Sequence, residues 1–250
     1  MSDPRPFRFA VQSYAAETPE EWRNRARRAE ELGYSSLHLA DHFLGAGKAL
    51  EAANHPVQNI ASVPAIAVAA EATRTLRVGC RVFCIDYREP AMLAKEAFTL
   101  DFFSGGRLEL GLGAGWLRSE YEAVGIAFDK PSVRIARLAE TVEFLRAFAA
   151  EGPIDYQGQH IQAQGFEGAP KPVQRPLPPI MIGGGSRRIL ELAAREADIV
   201  SLNFNNRSGV LGPDGVASGT EEATLEKVGW IREAAGARFD ELQLEGGAYF

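Results

Sequence analysis

Asp41 and His42 follow directly on an apolar stretch that carries Leu37 and Leu39, with no turn residue between the hydrophobic segment and the charge. That pattern fits a strand whose C-terminal tip presents an acid and an imidazole. An imidazole so placed can move a proton near neutral pH, and the adjacent acid can orient polar partners. In α/β proteins the carboxyl ends of parallel strands are where ligands bind. A helix cap and a satisfied loop histidine would explain the same two residues, so the pair alone leaves both readings open.

Three further constellations bear on chemistry. Gly111-Leu-Gly113-Ala-Gly115-Trp116 closes another apolar segment. Its glycines permit close backbone approach to a flat ligand, and Trp116 offers a stacking face, unless it simply packs in the core. Ile182-Gly183-Gly184-Gly185-Ser186 runs straight into a helix that begins with Arg187 and Arg188. Free amides at that helix start, together with the Ser186 hydroxyl, suit a phosphate, and either arginine could add charge. A tight strand-to-helix turn is the plainer explanation. Finally, Arg81 sits in the apolar strand Gly79-Cys80-Arg81-Val82-Phe83-Cys84-Ile85. Buried, it needs a partner; otherwise it faces outward between helices.

Composition narrows the field. A hydrophobic share of 46%, a charged share of 24% and a net charge of −6 suit a globular protein and argue against a nucleic-acid partner. The Arg23–Arg28 cluster lies among acids on one helix face. Cys80 and Cys84 are too far apart along a strand to pair and have no histidine cluster around them, so neither a disulfide nor a metal site is expected. No apolar leader or membrane-length run appears, which points to the cytoplasm and away from membranes. Serine-elbow, P-loop and His-Glu-x-x-His motifs are absent, and no strand tip carries a lysine or paired carboxylates of the kind an aldolase or isomerase barrel would use.

The elements that position these residues alternate. Strands are expected at Phe7–Tyr14, Ser35–Ala40, Leu76–Ile85, Arg107–Leu112, Pro179–Ile182, Ile199–Phe204 and Leu242–Phe250. Helices follow Thr18, run near Ile60–Ala72 and Pro90–Phe103, start at a Ser132 cap, span Ser186–Ala197 and begin near Thr220. Residues 153–178 break the rhythm and read as a hairpin excursion over the mouth of a barrel. Strict strand–helix alternation implies a parallel sheet with right-handed crossovers in one domain, residues 1–250. Seven units ending inside an apolar strand suggest an eight-stranded barrel without its last unit in a C-terminally truncated chain, with a natural seven-stranded variant as the alternative.

Taken in order, these segments resemble the luciferase-like monooxygenase superfamily, and most nearly its oxidoreductases that use the deazaflavin coenzyme F-420. The likeness covers nearly the whole chain. It rests on Ala40-Asp41-His42-Phe43, on Tyr87-Arg88-Glu89-Pro90, on Leu110 to Trp116 with Glu120-Tyr121, and on Gly183 to Ser186 with Asp198. The resemblance implies a TIM-type (β/α)8 barrel with flavin or deazaflavin across its C-terminal mouth. It also implies that Asp41 hydrogen-bonds the ring end of the cofactor and that His42 is the acid/base, with Trp116 beside the reaction. Arg81-Val82 falls where the family carries a non-proline cis peptide, a bulge backing the ring. Cys84, Ala114, Gly115 and Ser119 fall at ring or ribityl contacts, and Gly184, Gly185 and Ser186 at the phosphate.

Two departures matter. The family's sugar-phosphate dehydrogenases carry a glutamate where this chain has Trp116, and a tryptophan where it has Ala46. A reductase, or a dehydrogenase of another substrate, fits better. The expectation is hydride transfer between F-420 and a small organic molecule in a homodimer. The alternatives are an FMN-dependent monooxygenase fed by a flavin reductase, and a barrel that binds flavin or deazaflavin without catalysis.

Overall fold

The computed structural model describes residues 6–53, 55–210 and 212–247. β1 (Ala10–Ser13) leads to α1 (Pro19–Glu31), where Thr18 accepts the Glu21 N–H at 3.1 Å and Pro19 fills the first turn. β2 (Ser36–Leu39), an unforeseen short α2 (Lys48–Ala53) and α3 (Ser62–Ala72) follow. The expected third strand is interrupted. It forms β3 (Arg77–Cys80) and β4 (Phe83–Cys84) on either side of the Arg81–Val82 peptide, which is cis.

α4 (Pro90–Ser104) starts at a Glu89 cap and stops at Gly105, whose φ of 64° suits a residue without a Cβ. β5 (Leu108–Gly113), α5 (Arg118–Val124) and α6 (Pro131–Ala149) come next. Ser132 does not cap α6: Lys130 holds that position and Pro131 opens the helix, since proline loses no hydrogen bond there. β6 (Ile154–Gln157) and β7 (Gln162–Phe166) form an antiparallel hairpin. β8 (Ile180–Gly184), α7 (Arg187–Glu196), β9 (Ile199–Leu202), α8 (Pro213–Ala217), α9 (Glu221–Ala235) and β10 (Gln243–Gly246) complete the order. The last three residues of the expected final strand lie outside the described residues.

The sheet runs β1-β2-β3-β5-β8-β9-β10, every adjacent pair parallel, with β4 continuing the third position beside β5. This is the TIM-type barrel curl through seven of its strand positions. Among the described residues no ladder joins β10 to β1. A side chain spans that gap instead, with Arg8 Nη1 donating to Gln243 Oε1 at 2.9 Å.

Alternation along the strands separates an apolar layer from a polar one. Leu37, Leu39, Val78, Leu108, Leu110, Leu112, Ile180, Ile182 and Val200 form one core with the helices, including Phe98, Leu138, Leu145 and Leu190. The intervening residues of the same strands are polar or small. His38 Nε2 lies 2.9 Å from Glu109 Oε2, and Arg8 also pairs with Glu109. Between them Gly79 leaves no room for a Cβ, which would meet the Glu109 carbonyl and the His38 ring. The barrel is therefore held by its outer core, and its interior is a place for charge.

The 153–178 excursion lies elsewhere than over the mouth. The Glu140 carboxylate of α6 accepts N–H groups of Gln159, His160 and Ile161 at 2.8–3.0 Å, and Phe144 and Phe148 pack on Tyr156 and Phe166. Asp101, near the end of α4, then binds the Val173 and Gln174 backbone N–H groups at 2.7 and 2.9 Å. Apolar and carboxylate surface on the helices captures this segment, a tertiary pull that its bland composition does not reveal.

Candidate active site

The C-terminal ends of the strands enclose a cavity of about 930 Å³, in the range of small-molecule and cofactor sites. Asp41, His42, Arg81, Val82, Cys84, Ala114, Gly115, Trp116, Gly184, Gly185 and Ser186 all line it. Ser119 does not; it sits in the first turn of α5, its hydroxyl buried and without a hydrogen-bond partner. No described residue from 153 to 178 reaches the cavity wall.

His42, just beyond β2, is fixed from behind. Its Nδ1 lies 2.8 Å from Glu120 Oε2, and its backbone N–H donates to Gln58 Oε1 at 3.1 Å. Glu120 is fully buried and accepts also from the Tyr87 hydroxyl at 2.6 Å and the Phe43 N–H at 2.7 Å. Burial opposes its charge, yet the bonds from His42, Tyr87 and Phe43 hold its carboxyl below the usual range. A carboxylate accepts only, so Nδ1 of His42 carries the proton and Nε2 is left for the cavity. The Tyr87 hydroxyl is pushed well up, first by burial and then by its acidic surroundings, and stays a donor.

Asp41 is committed elsewhere than expected. Arg88 Nη1 and Nη2 grip it at 2.6 and 2.9 Å, Ser62 Oγ donates at 2.5 Å and the Cys84 N–H at 3.0 Å. Those donors use every acceptor site a carboxylate offers, so none remains for a cofactor ring. Its role is to tie β2, α3, β4 and the start of α4 together beneath His42.

The adjoining wall is backbone and small side chains. Arg81 points inward, not outward between helices: it donates to Glu245 at 2.8 Å, Asn203 at 2.8 Å and Gln12 at 3.2 Å. With 6% of the side chain exposed, that pairing is what makes an interior arginine tolerable. Val82 packs where Cβ atoms at Gly111, Gly113 and Gly183 would stand. Arg134 holds the Ala114 carbonyl at 2.9 Å and binds that of Gly115, fixing the loop before Trp116. Burial raises the Cys84 thiol to about 12, so it serves as wall and not as a nucleophile.

At the other end Ser186 starts the ten-residue helix α7 in extended conformation, and its side chain makes no capping bond. Gly184 and Gly185 bring bare backbone to the cavity edge, with amides of the first turn lacking intrahelical acceptors. Arg187 turns outward to Glu191 and Glu233, and neither it nor Arg188 lines the cavity. A phosphate-bearing planar cofactor fits these residues: an amide cradle at one end, a flat wall around Val82 and an oriented imidazole beyond it.

In the sequence Glu120 stands out only within a motif, and His55, Gln58 and Ser62 do not stand out at all. No local signal distinguishes a buried glutamate on α5 from a solvated one. Only the contact across 78 residues of chain does so.

Fold and site together define a parallel α/β barrel with a ligand cavity at its strand tips, a polar interior and a carboxylate-held histidine. The chain belongs to the luciferase-like monooxygenase family, whose model matches residues 5–210. It is 29% identical over 206 residues to the 5,10-methylenetetrahydromethanopterin reductase of Archaeoglobus fulgidus, covering 82% of this chain and 54% of that protein. It is 31% identical over 121 residues to the FMNH(2)-dependent dimethylsulfone monooxygenase of Pseudomonas putida, covering 48% and 33%. The coenzyme F-420 dependent tetrahydromethanopterin reductase from Methanopyrus kandleri shares the fold, with a TM-score of 0.76 at 19% identity over 96% of this chain and 65% of that one. The chain thus spans a third to about half of the length of these curated relatives. Among the described residues no helix is long and apolar enough to cross a membrane.

Proposed function

We propose that this chain is the barrel of an oxidoreductase that passes a hydride between the deazaflavin coenzyme F-420 and a small organic substrate, with His42 as acid/base. The observation that carries the reading is the placement of His42. Its Nδ1 is held by buried Glu120, and it lines the same cavity as the Gly184–Ser186 amide cradle, three strand positions away in the sheet. A bound deazaflavin would supply or accept the hydride. The chain's own residues do the rest: Gly184, Gly185 and Ser186 anchor an anion, and Val82, Ala114 and Gly115 back a flat ring. His42 Nε2 gives or takes the proton that accompanies the hydride, and Trp116 walls the space beside it. Homodimeric assembly and a cytoplasmic setting belong to the same proposal.

Anaerobic titration of the full-length protein with F-420 and with FMN tests it. Binding of F-420, with turnover that falls about 10²- to 10⁴-fold in His42→Ala, is expected for a lost general acid/base. Tight FMN binding with none of F-420 would overturn it. That result would favour an FMN-dependent monooxygenase served by a partner reductase, the reading supported by the likeness to the dimethylsulfone monooxygenase. Turnover unchanged in His42→Ala would remove the role given to the histidine.

A further inference from the structure

Beyond His42 the cavity ends in rings. Tyr14, His42, His55 and Trp116 all line it. The His42 and His55 ring centroids are 4.2 Å apart, Tyr14 stands edge-on to His55 at 5.6 Å, and Trp116 lies 5.8 and 5.9 Å from the two imidazoles. The segment just after β1, the loop after β2, the chain ahead of α3 and the loop after β5 each contribute one ring. None of these groups is needed to hold an anion at Ser186 or to back a planar ring at Val82. We infer that this ring-lined end is the substrate subsite and that it selects an uncharged, largely apolar molecule bearing a single hydroxyl or carbonyl at the reacting carbon.

Among the described residues, the charges beside His42 and along the interior wall are engaged. Glu120 lies behind His42 with three donors on it, and Asp41 is closed by Arg88, Ser62 and the Cys84 amide. Arg81 and Arg134 are bound to partners, and Arg207 is exposed on the rim. An anionic substrate at the rings would shed its water against cations already bound to partners, Arg81 and Arg134, with the exposed Arg207 the only other one on the described lining. Against His42 it would also share that ring with the Glu120 carboxylate, one hydrogen bond away. A cationic substrate would be repelled whenever His42 holds the proton its role requires.

His55 is itself neutral. Its Nδ1 lies 2.8 Å from the Pro56 carbonyl oxygen, which can only accept, so Nδ1 bears the hydrogen and Nε2 is an acceptor. Burial first, and then the neighbouring His42, push its titration down to about 4. Among apolar faces, His55 Nε2 accepts and His42 Nε2 accepts when neutral or donates when protonated, which matches one hydroxyl, or one carbonyl facing protonated His42, on an otherwise apolar molecule.

The inference rests on the oxidoreductase reading for its meaning but is tested by binding alone. Benzyl alcohol, benzoate and benzylamine serve as neutral, anionic and cationic probes of one shape, titrated into the full-length protein while the imidazole resonances are followed by NMR. Benzyl alcohol is expected to bind at least tenfold more tightly than either ion and to shift the His42 and His55 ring signals. His55→Asp is expected to reverse the order in favour of benzylamine, and His55→Phe to keep the preference for the neutral probe. Equal or tighter binding of an ion, no binding of any probe, or benzyl alcohol binding that leaves both rings unmoved would overturn the inference. Cofactor titration of the same sample separates the outcomes. Failure to bind either cofactor would sink the oxidoreductase reading whatever the probes do, and normal cofactor binding with no preference for the neutral probe would sink only this one.

Discussion

His42 and Glu120 show how much of a site resides in one buried acceptor. A histidine near a strand tip can rotate and can carry its proton on either nitrogen. With Glu120 at 2.8 Å, fully buried and stabilised by Tyr87 and the Phe43 amide, orientation and tautomer are both set. Glu120→Gln keeps the shape and removes the charge. It is expected to lower turnover about 10- to 100-fold, as losses of a supporting carboxylate commonly do, with cofactor affinity unchanged. The low-field Nδ1 proton signal of His42 should disappear with it. A variant that lost affinity and turnover together, with the His42 signal intact, would show a merely structural glutamate. Position 120 was visible in the sequence as part of a family-like motif, but its job was not, because its partners lie 33, 77 and 78 residues away in the chain.

At the scale of elements, the site depends on how closely β3, β4, β5 and β8 approach. Gly111 is where that approach is tightest: a Cβ there would strike the Cys80 carbonyl, which is backbone and cannot swing aside, and would crowd Val82 at 3.1 Å. Gly111→Ala is expected to destabilise the fold by about 1–3 kcal/mol, the usual cost of overpacking, and to lower the urea midpoint in proportion. Unchanged stability would mean that β5 can move away from β3 and that the glycine is not a packing requirement. The strands and the longer helices were legible in order, since alternation and caps at Thr18, Glu89 and Thr220 are local signals, while the short α2, α5 and α8 were not. Local reasoning failed where distant surface decides. The excursion docked on α6 is the clearest instance.

Over the whole molecule, the polar interior gives the barrel a pH signature. Burial alone would raise the Glu109 carboxyl, but His38 and then Arg8 hold it down at about 2 against an ordinary 4.5. A depressed carboxylate stabilises the fold fully above its unfolded value and loses that contribution as pH falls through the folded one. At about 1.4 kcal/mol per pKa unit the shift is worth about 3 kcal/mol, and at 2% exposure solvent screens little of it. The stability gap between the parent and Glu109→Gln is therefore expected to be widest above pH 4.5 and to close toward pH 2, measured by urea unfolding across that range. A gap constant with pH would mean that Glu109 acts through packing and not charge.

By itself the chain's sequence determined the class of architecture and the strand tips and glycine turn that line the cavity. Hydrophobic period, proline and glycine act within a few residues, so one strand of text contains them. Tertiary structure alone decided the direction of Arg81, the closing of Asp41 by Arg88, the Glu120 hold on His42 and the ring-lined end built with His55. Each of those is a pairing of charges or rings far apart in sequence. Such pairs form because burial leaves a polar group no water to turn to, and which partner it finds is settled only when the strands have closed around it.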